Sequence, residues 1–457
     1  MQLCVGVNVV KYDVVIAGSG IAGASAAYFL SRKGFKVLFT DVKPFERAGD
    51  KPCGDAMGKH HFDELGIEYP KGEELEGLVK AIDIYSPSEE IRYRVTGEGF
   101  EVNRIEFTKR FIRLAQDKGA EYLPEVQVRK LLFKNGRVVG ASLWSRSRGE
   151  WEVEADLVID ATGMSRALLR QVPQDWPIRD VLRPQDMNIA YREIRKLKEP
   201  VEEPEILRIY VSQKKAPGGY WWFFPYSLKE RVVNVGLGVQ GGMGHPFPKD
   251  LLYTKVLNSP IFEGSEIIEA GGAAVPTRRP INTLVWEGIA AVGDAAYTVN
   301  PIHGGGKGSA MLSSWCIAEA VEKATNSSSL TTEGLWGANK CFIERYGAKQ
   351  AALDIFRVFL QRLSDKDLDD GMRRKLIKEE DLNTVSLHGD LELSTVEKAM
   401  RLLSGLRRPS LLFKLKTVAD YMGKIKEHYR KFPEDPSGLD SWLADLQRIY
   451  DDFLKKL

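Results

Sequence analysis

Residues 12–41 read YDVVIAGSGIAGASAAYFLSRKGFKVLFTD. Tyr12 to Ala17 form a short β-branched run, the pattern of a buried parallel strand. Gly18, Gly20 and Gly23 follow, with Ala22 in the same turn. A helical pattern then runs from Ala24 to Gly34, placing Ala26, Ala27 and Leu30 on one face. A second strand, KVLFTD, ends at Asp41. Gly18 permits a tight turn, Gly20 lets a pyrophosphate approach the backbone, and Gly23 lets the helix pack close to the strand. The start of the helix offers free N–H groups and a partial positive charge to phosphates. The Asp41 carboxylate suits ribose hydroxyls, whereas a 2′-phosphate would call for a cation there. The strand–turn–helix–strand context makes this a dinucleotide site. One such unit does not separate flavin from nicotinamide dinucleotides.

A second match to the glycine pattern, GLGVQG at 236–241, leads into GMGHPFPKD, where Pro246 and Pro248 oppose an immediate helix. It reads as a strand and a turn, so a single dinucleotide site is expected.

At 457 residues the chain is too long for one ordinary core, and two or three domains are expected. Hydrophobic residues at 43% and charged residues at 28% are normal for a globular protein. A net charge of +2 leaves no basic excess for nucleic acid. No signal peptide opens the chain, and no uncharged apolar run reaches the ~20 residues that span a bilayer. The expected location is cytoplasmic, with any membrane contact peripheral and at the inner face. The four cysteines, Cys4, Cys53, Cys316 and Cys341, do not make a disulfide framework. Cys316 and Cys341 fall in helical segments of one region and could bridge. Two reduced core thiols are the favoured reading, because cytosolic disulfides are rare outside hyperthermophiles. No metal site is read.

Two later strands narrow the cofactor. LVIDATG at 157–163 is an apolar strand entering a small-residue turn, and IAAVGD at 289–294 ends in Gly293-Asp294. NPIHGGGKGSAM follows at 300–311 and opens a helix. This combination resembles the FAD-dependent family of para-hydroxybenzoate hydroxylase-like enzymes and geranylgeranyl reductases. The resemblance implies that FAD is the cofactor. It also implies that Asp294 bonds the ribityl chain, and that Gly304, Gly305, Gly306 and Lys307 bring N–H groups to the flavin ring. Arg104, in EVNRIEFTKRF, resembles the family arginine that reaches the cofactor, and Val128 would lie near the adenine through its backbone. Gly163 completes the turn at 161–163. The hydroxylases carry an Asp-Gly pair there; this chain has Thr162-Gly163, which weakens an NADPH-using monooxygenase and leaves the electron donor open between reduced ferredoxin and NAD(P)H.

PGGYWWFFP at 217–225 holds five consecutive aromatics. On a strand, Tyr220, Trp222 and Phe224 share one face, and Trp221 and Phe223 the other. Composition favours a doubly buried strand. The pattern P-x-x-Y-x-W-x-F-P, with Pro217, Tyr220, Trp222, Phe224 and Pro225, is similar to the signature of archaeal geranylgeranyl reductases. KPCGDAMGKHH, with Cys53, Gly54 and Ala56, resembles that family's loop beside the flavin. Tyr226 departs from the lysine expected after the FP pair. The resemblance implies reduction of isolated carbon–carbon double bonds in geranylgeranyl lipid or diphosphate, with Pro217, Tyr220, Trp221, Trp222 and Phe224 contacting the chain. Tyr220 and Trp222 would stabilise a developing cation, and Cys53 would be proton donor or gate. Its thiol, with an ordinary pKa of about 8.5, mostly keeps its proton at neutral pH. Lys59, His60 and His61 are possible head-group contacts, though surface residues are the favoured reading. The rivals are a flavin monooxygenase and a non-catalytic prenyl-binding escort protein.

The expected fold is α/β. A discontinuous FAD-binding Rossmann-type domain (9–75, 100–175, 280–345) is joined by an antiparallel-sheet substrate domain (76–99, 176–279) and a helical C-terminal region (346–457). The basic amphipathic stretch at 410–431 reads as a docked helix with a solvated face, or as a lipid contact.

Overall fold

The computed structural model describes residues 10–326, 330–376, 389 and 409–457; Cys4 lies outside them. The opening stretch forms β1 (Val10–Ala17), α1 (Ile21–Ser31) and β2 (Val37–Thr40). The helix begins at Ile21 rather than Ala24 because the first turn starts directly on Gly20, whose backbone is extended (ψ 177°) and whose carbonyl accepts from Ala24 N at 2.9 Å. The chain continues through β3 (Ala56–Gly58), α2 (His60–Leu65), β4 (Leu75–Tyr85), β5 (Arg92–Val102) and α3 (Arg104–Asp117). It then forms β6 (Glu121–Leu123), β7 (Gln127–Lys134), β8 (Arg137–Ser145) and β9 (Gly149–Asp160).

The second half supplies β10 (Asn188–Lys196), β11 (Ile206–Tyr210), β12 (Tyr220–Pro225), β13 (Val232–Gln240), α4 (Pro248–Lys255) and β14 (Glu266–Val275). Next come β15 (Val285–Trp286), β16 (Ile289–Ala291), α5 (Lys307–Asn326), α6 (Thr332–Leu335), α7 (Gly337–Phe342), α8 (Ala348–Leu360) and α9 (Asp365–Arg373). The described chain ends with α10 (Pro409–Arg430) and α11 (Leu439–Lys456).

Two sheets result. In the first, β6, β2, β1, β9 and β16 lie side by side and parallel, and β7 and β8 extend β9 as an antiparallel ribbon. Val14, Val15 and Ile16 are fully buried, as a strand covered on both faces requires. The alanines of α1 let it lie close to the sheet, packed against both α3 and α5. The second sheet runs β14–β10–β13–β12–β11–β4–β5–β3, antiparallel throughout except between β4 and β11. Strand β3, from the loop that follows β2, is its edge, so this loop is clamped between the two sheets.

The turn at 236–241 is, as expected, the end of a strand, β13, and the next helix starts only at Pro248. Its glycines serve packing. A Cβ at Gly236 would lie 2.2 Å from the Trp222 ring, and one at Gly241 would lie 2.6 Å from the Pro184 carbonyl oxygen.

Cys316 of α5 and Cys341 of α7 are joined as a disulfide, with Cα atoms 5.7 Å apart. This corrects the expectation of two reduced thiols; only the packing of α7 on α5 brings them together. Helix α10 is docked: Leu415, Val418, Met422 and Ile425 are buried in the same apolar cluster as α8. Among the described residues no helix is long and apolar enough to cross a membrane.

Candidate functional site

The turn after β1 is built without room for side chains. A Cβ at Gly23 would sit 1.8 Å from the Gly18 carbonyl oxygen, and Gly18 itself has φ +97° with Ala161 O 2.6 Å from its would-be Cβ. At Gly20 nothing lies within 4 Å. The helix start is uncapped by any side chain, so its N–H groups face that open volume, with the backbone of Ala22 beside them. At the end of β2, Asp41 Oδ2 accepts from Ser19 N at 2.8 Å and Ser19 Oγ at 3.0 Å, while Oδ1 accepts from Lys43 N at 2.9 Å. Buried Val128 is two residues beyond Val126, whose N–H donates to the Asp41 carbonyl at 2.8 Å. Arg104 opens α3 behind the Asn103 cap, which accepts from Glu106 N at 3.2 Å. Its buried Nε has no partner among the described residues. Open space over Gly20, an uncapped helix start and an unsatisfied guanidinium nitrogen together fit a dinucleotide.

The turn after β9 is closed by Asp160. Its Oδ1 accepts from Thr162 N and Oγ1 at 2.9 and 2.6 Å, and its Oδ2 from Leu168 and Leu169 N at 3.0 and 2.9 Å. Thr162 therefore bonds inward, and Gly163, at φ +65°, turns the chain. After β16, Gly293 takes φ +62°, where a Cβ would lie 2.7 Å from that of Ala22, so this turn rests on the α1 start. Asp294 pairs with Lys51 at 2.5 Å, and the would-be Cβ of Gly306 lies 3.6 Å from Asp294 Oδ1. The loop of Gly304, Gly305 and Gly306 is held by Asn300, whose N–H donates to Gly305 O at 2.9 Å and whose carbonyl accepts from Gly304 N at 3.0 Å.

The clamped loop meets these pieces. Lys307, buried at the start of α5, reaches back to Cys53 Sγ at 3.7 Å and Asp55 Oδ1 at 3.4 Å. Burial pushes the Cys53 thiol up. The Lys307 ammonium, helped by Arg104, outweighs that together with Asp55, and the thiol lies below its ordinary value. This corrects the expectation of an ordinary thiol. Gly54 lies under the aromatic strand, its would-be Cβ 3.0 Å from the Phe224 ring, and Ala56 packs in the cluster of Trp222 and Phe224. Asn234 of β13 joins strand to loop: its Nδ2 donates to Cys53 O at 2.8 Å and its Oδ1 accepts from Trp222 Nε1 at 3.0 Å.

Strand β12 divides as the alternation predicts. Tyr220, Trp222 and Phe224 form a row of rings about the loop, with centroids 6.0 and 6.2 Å apart. The Tyr220 hydroxyl donates to His303 O at 2.6 Å, tying this row to the glycine loop. Trp221 is not part of it. It stacks on Tyr210 at 3.7 Å within the opposite cluster, beside Phe223. Pro217 sits in the turn before β12, its carbonyl accepting from Gln240 N at 3.0 Å. Tyr226, buried, approaches Asn234 Nδ2 at 3.4 Å. The His60 and His61 rings lie 3.9 Å apart, tilted by 43°, with the His61 ring against Gly308 of α5, while Lys59 pairs outward with Glu98. Reading the sequence missed Asn234, Asp55, Glu101 and His303. Asn234 carried a signal, as the one polar side chain inside the apolar run VVNVGLGV.

A family model described as the geranylgeranyl reductase catalytic domain matches residues 186–275, which span β10 to β14. The chain is 49% identical over 450 residues to a digeranylgeranylglycerophospholipid reductase of Sulfolobus acidocaldarius, covering 98% of this chain and 99% of that one. It is 30% identical over 390 residues to the enzyme of that name from Methanothrix thermoacetophila, covering 84% and 95%. Among solved structures, a geranylgeranyl bacteriochlorophyll reductase-like protein of Thermoplasma acidophilum superposes with a TM-score of 0.75 at 24% identity, over 90% of this chain and 99% of that one. A flavin-dependent brominase, Bmp2, shares the fold with a TM-score of 0.59 at 19% identity, over 86% and 98%. Near full-length identity of this order, with the catalytic-domain match falling on the aromatic strand and its neighbours, means that the chain belongs to the digeranylgeranylglycerophospholipid reductase family.

Proposed function

We propose that this chain is an FAD-dependent reductase that saturates isolated double bonds in geranylgeranyl chains carried on glycerophospholipids or on a diphosphate. One observation carries the reading. A row of aromatic rings, a Cys–Lys pair and a glycine-loop helix start converge on the clamped loop at 53–56. Family membership supports the substrate class.

Gly18, Gly20, Gly23 and the backbone at Ala22 would hold the pyrophosphate, Asp41 the ribose, and the backbone near Val128 the adenine. Gly163, Gly293, Asp294, Gly305, Gly306, Gly54 and Ala56 would line the ribityl and ring end. Arg104, with its free Nε, would donate to it. When bound and reduced, the flavin supplies a hydride equivalent. The chain's part is the proton. Cys53 Sγ and Lys307 Nζ, 3.7 Å apart, hold one between them at the site. The faces of Tyr220 and Trp222 stabilise positive charge developing on the substrate by ~0.5–2 kcal/mol each. Phe224 continues this apolar wall. The position of Trp221 suits support of the strand rather than contact.

The electron donor is reduced ferredoxin or NAD(P)H, and donor-dependent flavin bleaching distinguishes them. Peripheral membrane contact is supported by exposed Phe413 on basic α10, and co-sedimentation with anionic vesicles tests it. The central test is anaerobic. Protein reduced by dithionite is mixed with geranylgeranyl diphosphate, and flavin absorbance and product mass are followed. Flavin reoxidation with a gain of about two mass units per bond supports the reading. Reoxidation only on admitting oxygen would favour a monooxygenase, and a purified protein without flavin would favour an escort protein.

A further inference from the structure

Behind the Cys53–Lys307 pair lies a buried acid that the reaction above does not use. Glu101 of β5 is wholly buried, and neither carboxylate oxygen has a hydrogen-bond partner among the described residues. A buried ionised carboxylate without donors is strongly disfavoured, whereas a protonated one is not. Burial, followed by the charge of Asp55, holds the Glu101 carboxyl well above the usual range. Register places it at the loop. Glu101 is paired with Ala56 across β3, and Val102 N donates to Asp55 O at 3.1 Å. The groups facing it come from four elements: Asp55 before β3, Glu76 on β4, Lys307 on α5 and Tyr226 after β12. Cys53 and Arg104 stand just beyond, and Glu76 continues to half-exposed Lys229 at the surface. Asp55, between Glu101 and Lys307, is held at φ +61°, a left-handed backbone conformation that is uncommon outside glycine.

We propose that Glu101 is the internal proton reserve of the site, returning to the Cys53–Lys307 pair, by way of Asp55, the proton each turnover removes. This rests on the reading of that pair as the proton source. In each cycle the Cys53 S–H bond breaks, a C–H bond forms on one alkene carbon, and the electron pair stays on sulfur; the reduced flavin provides the hydride for the other carbon. Lys307 Nζ–H then protonates the thiolate, Asp55 passes the Glu101 proton to Lys307, and Glu101 is recharged from solvent past Glu76 and Lys229. No electrons move in the relay. Glu101 acts through other groups and touches no substrate, so it is a positioning residue for the proton.

The test compares wild-type holoprotein with Glu101→Gln, Glu101→Asp and Cys53→Ser. The first readout is the rate of Cys53 alkylation by iodoacetamide against pH, read on the Cys53 peptide by mass spectrometry. Ionisation of Glu101 raises the thiol, so the wild type is expected to show two coupled steps and Glu101→Gln one. The second readout is steady-state turnover, expected to fall about tenfold or more in Glu101→Gln, a general acid–base contribution of ordinary size, with flavin content unchanged. Glu101→Asp keeps an acid and is expected to keep both steps and most of the rate. A Glu101→Gln protein with the wild-type profile and rate overturns the proposal, as does a Glu101→Asp protein as slow as Glu101→Gln, which marks a structural role. Unchanged turnover in Cys53→Ser overturns the underlying reading of the thiol instead, whatever Glu101 does.

Discussion

Replacing Asn234 by leucine keeps the branched outline of a fully buried side chain and removes its polar end. Two close partners are then orphaned at once, the Cys53 carbonyl, held at 2.8 Å, and the Trp222 indole N–H, held at 3.0 Å, and the buried Tyr226 hydroxyl loses a longer bond of 3.4 Å. A buried group left unpaired costs about 1–3 kcal/mol. Trp222 is 7% exposed and should lie toward the upper end, while the half-buried Cys53 carbonyl can recruit water and should lie near the lower end. The expected loss is therefore about 2–4 kcal/mol. Urea unfolding followed by far-ultraviolet circular dichroism measures it without relying on Trp222 as the probe. The decisive comparison is Trp222→Phe in both backgrounds. Phenylalanine has no N–H to orphan, so the double variant should lose about 1–2 kcal/mol less than the sum of the singles. Additivity within about 0.3–0.5 kcal/mol would refute the claim that Asn234 is the joint between strand and loop.

Three further outcomes are expected. Gly20→Leu should give a folded protein without bound flavin, because a side chain there meets nothing in the protein but fills the volume proposed for pyrophosphate, whereas Gly23→Leu should not fold; visible absorbance and circular dichroism separate the two. Trp222→Ala should slow alkene reduction by tenfold or more, while Trp221→Ala, on the opposite face, should lower stability with little change in the rate per folded molecule; single-turnover kinetics and thermal melting distinguish them. His303 keeps an exposed edge, but burial of the rest of its surroundings, and then Lys349, push it down to about 4. The folded chain thus keeps this imidazole neutral where the unfolded chain takes up a proton. Its contribution to stability, reduced by solvent at the exposed edge, is full above about pH 6.5 and falls as pH drops toward 4. His303→Gln should flatten that part of the stability profile, and an unchanged slope in urea titrations at pH 4–7 would count against it.

The site was legible where chemistry constrains the backbone and opaque where it depends on packing. Gly18, Gly20 and Gly23 stand within six residues, and the turn they form is local, so their pattern could be read directly. The alternation of β12 was equally local: one strand must send Tyr220 and Trp222 one way and Trp221 the other. Cys53 was found as a residue type, but its lowered thiol was not, because Lys307 lies 254 positions away in the chain. Asn234, Asp55 and Glu101 gave little sign of their roles for the same reason. Each gains its meaning from a neighbour on a different strand or helix.

By itself, then, the order of residues determined the glycine turn, the strand–helix–strand unit around it, the two-faced aromatic strand and the family. These follow from short-range sterics, the period of two along a strand, and motifs a few residues long. The tertiary structure alone decided that Cys316 meets Cys341, that α10 is docked, and that a loop clamped between two sheets brings Cys53, Asp55, Lys307 and Glu101 together. Charge interactions and burial depend on distance in space, and no pattern along the chain specifies which distant groups will share one desolvated volume.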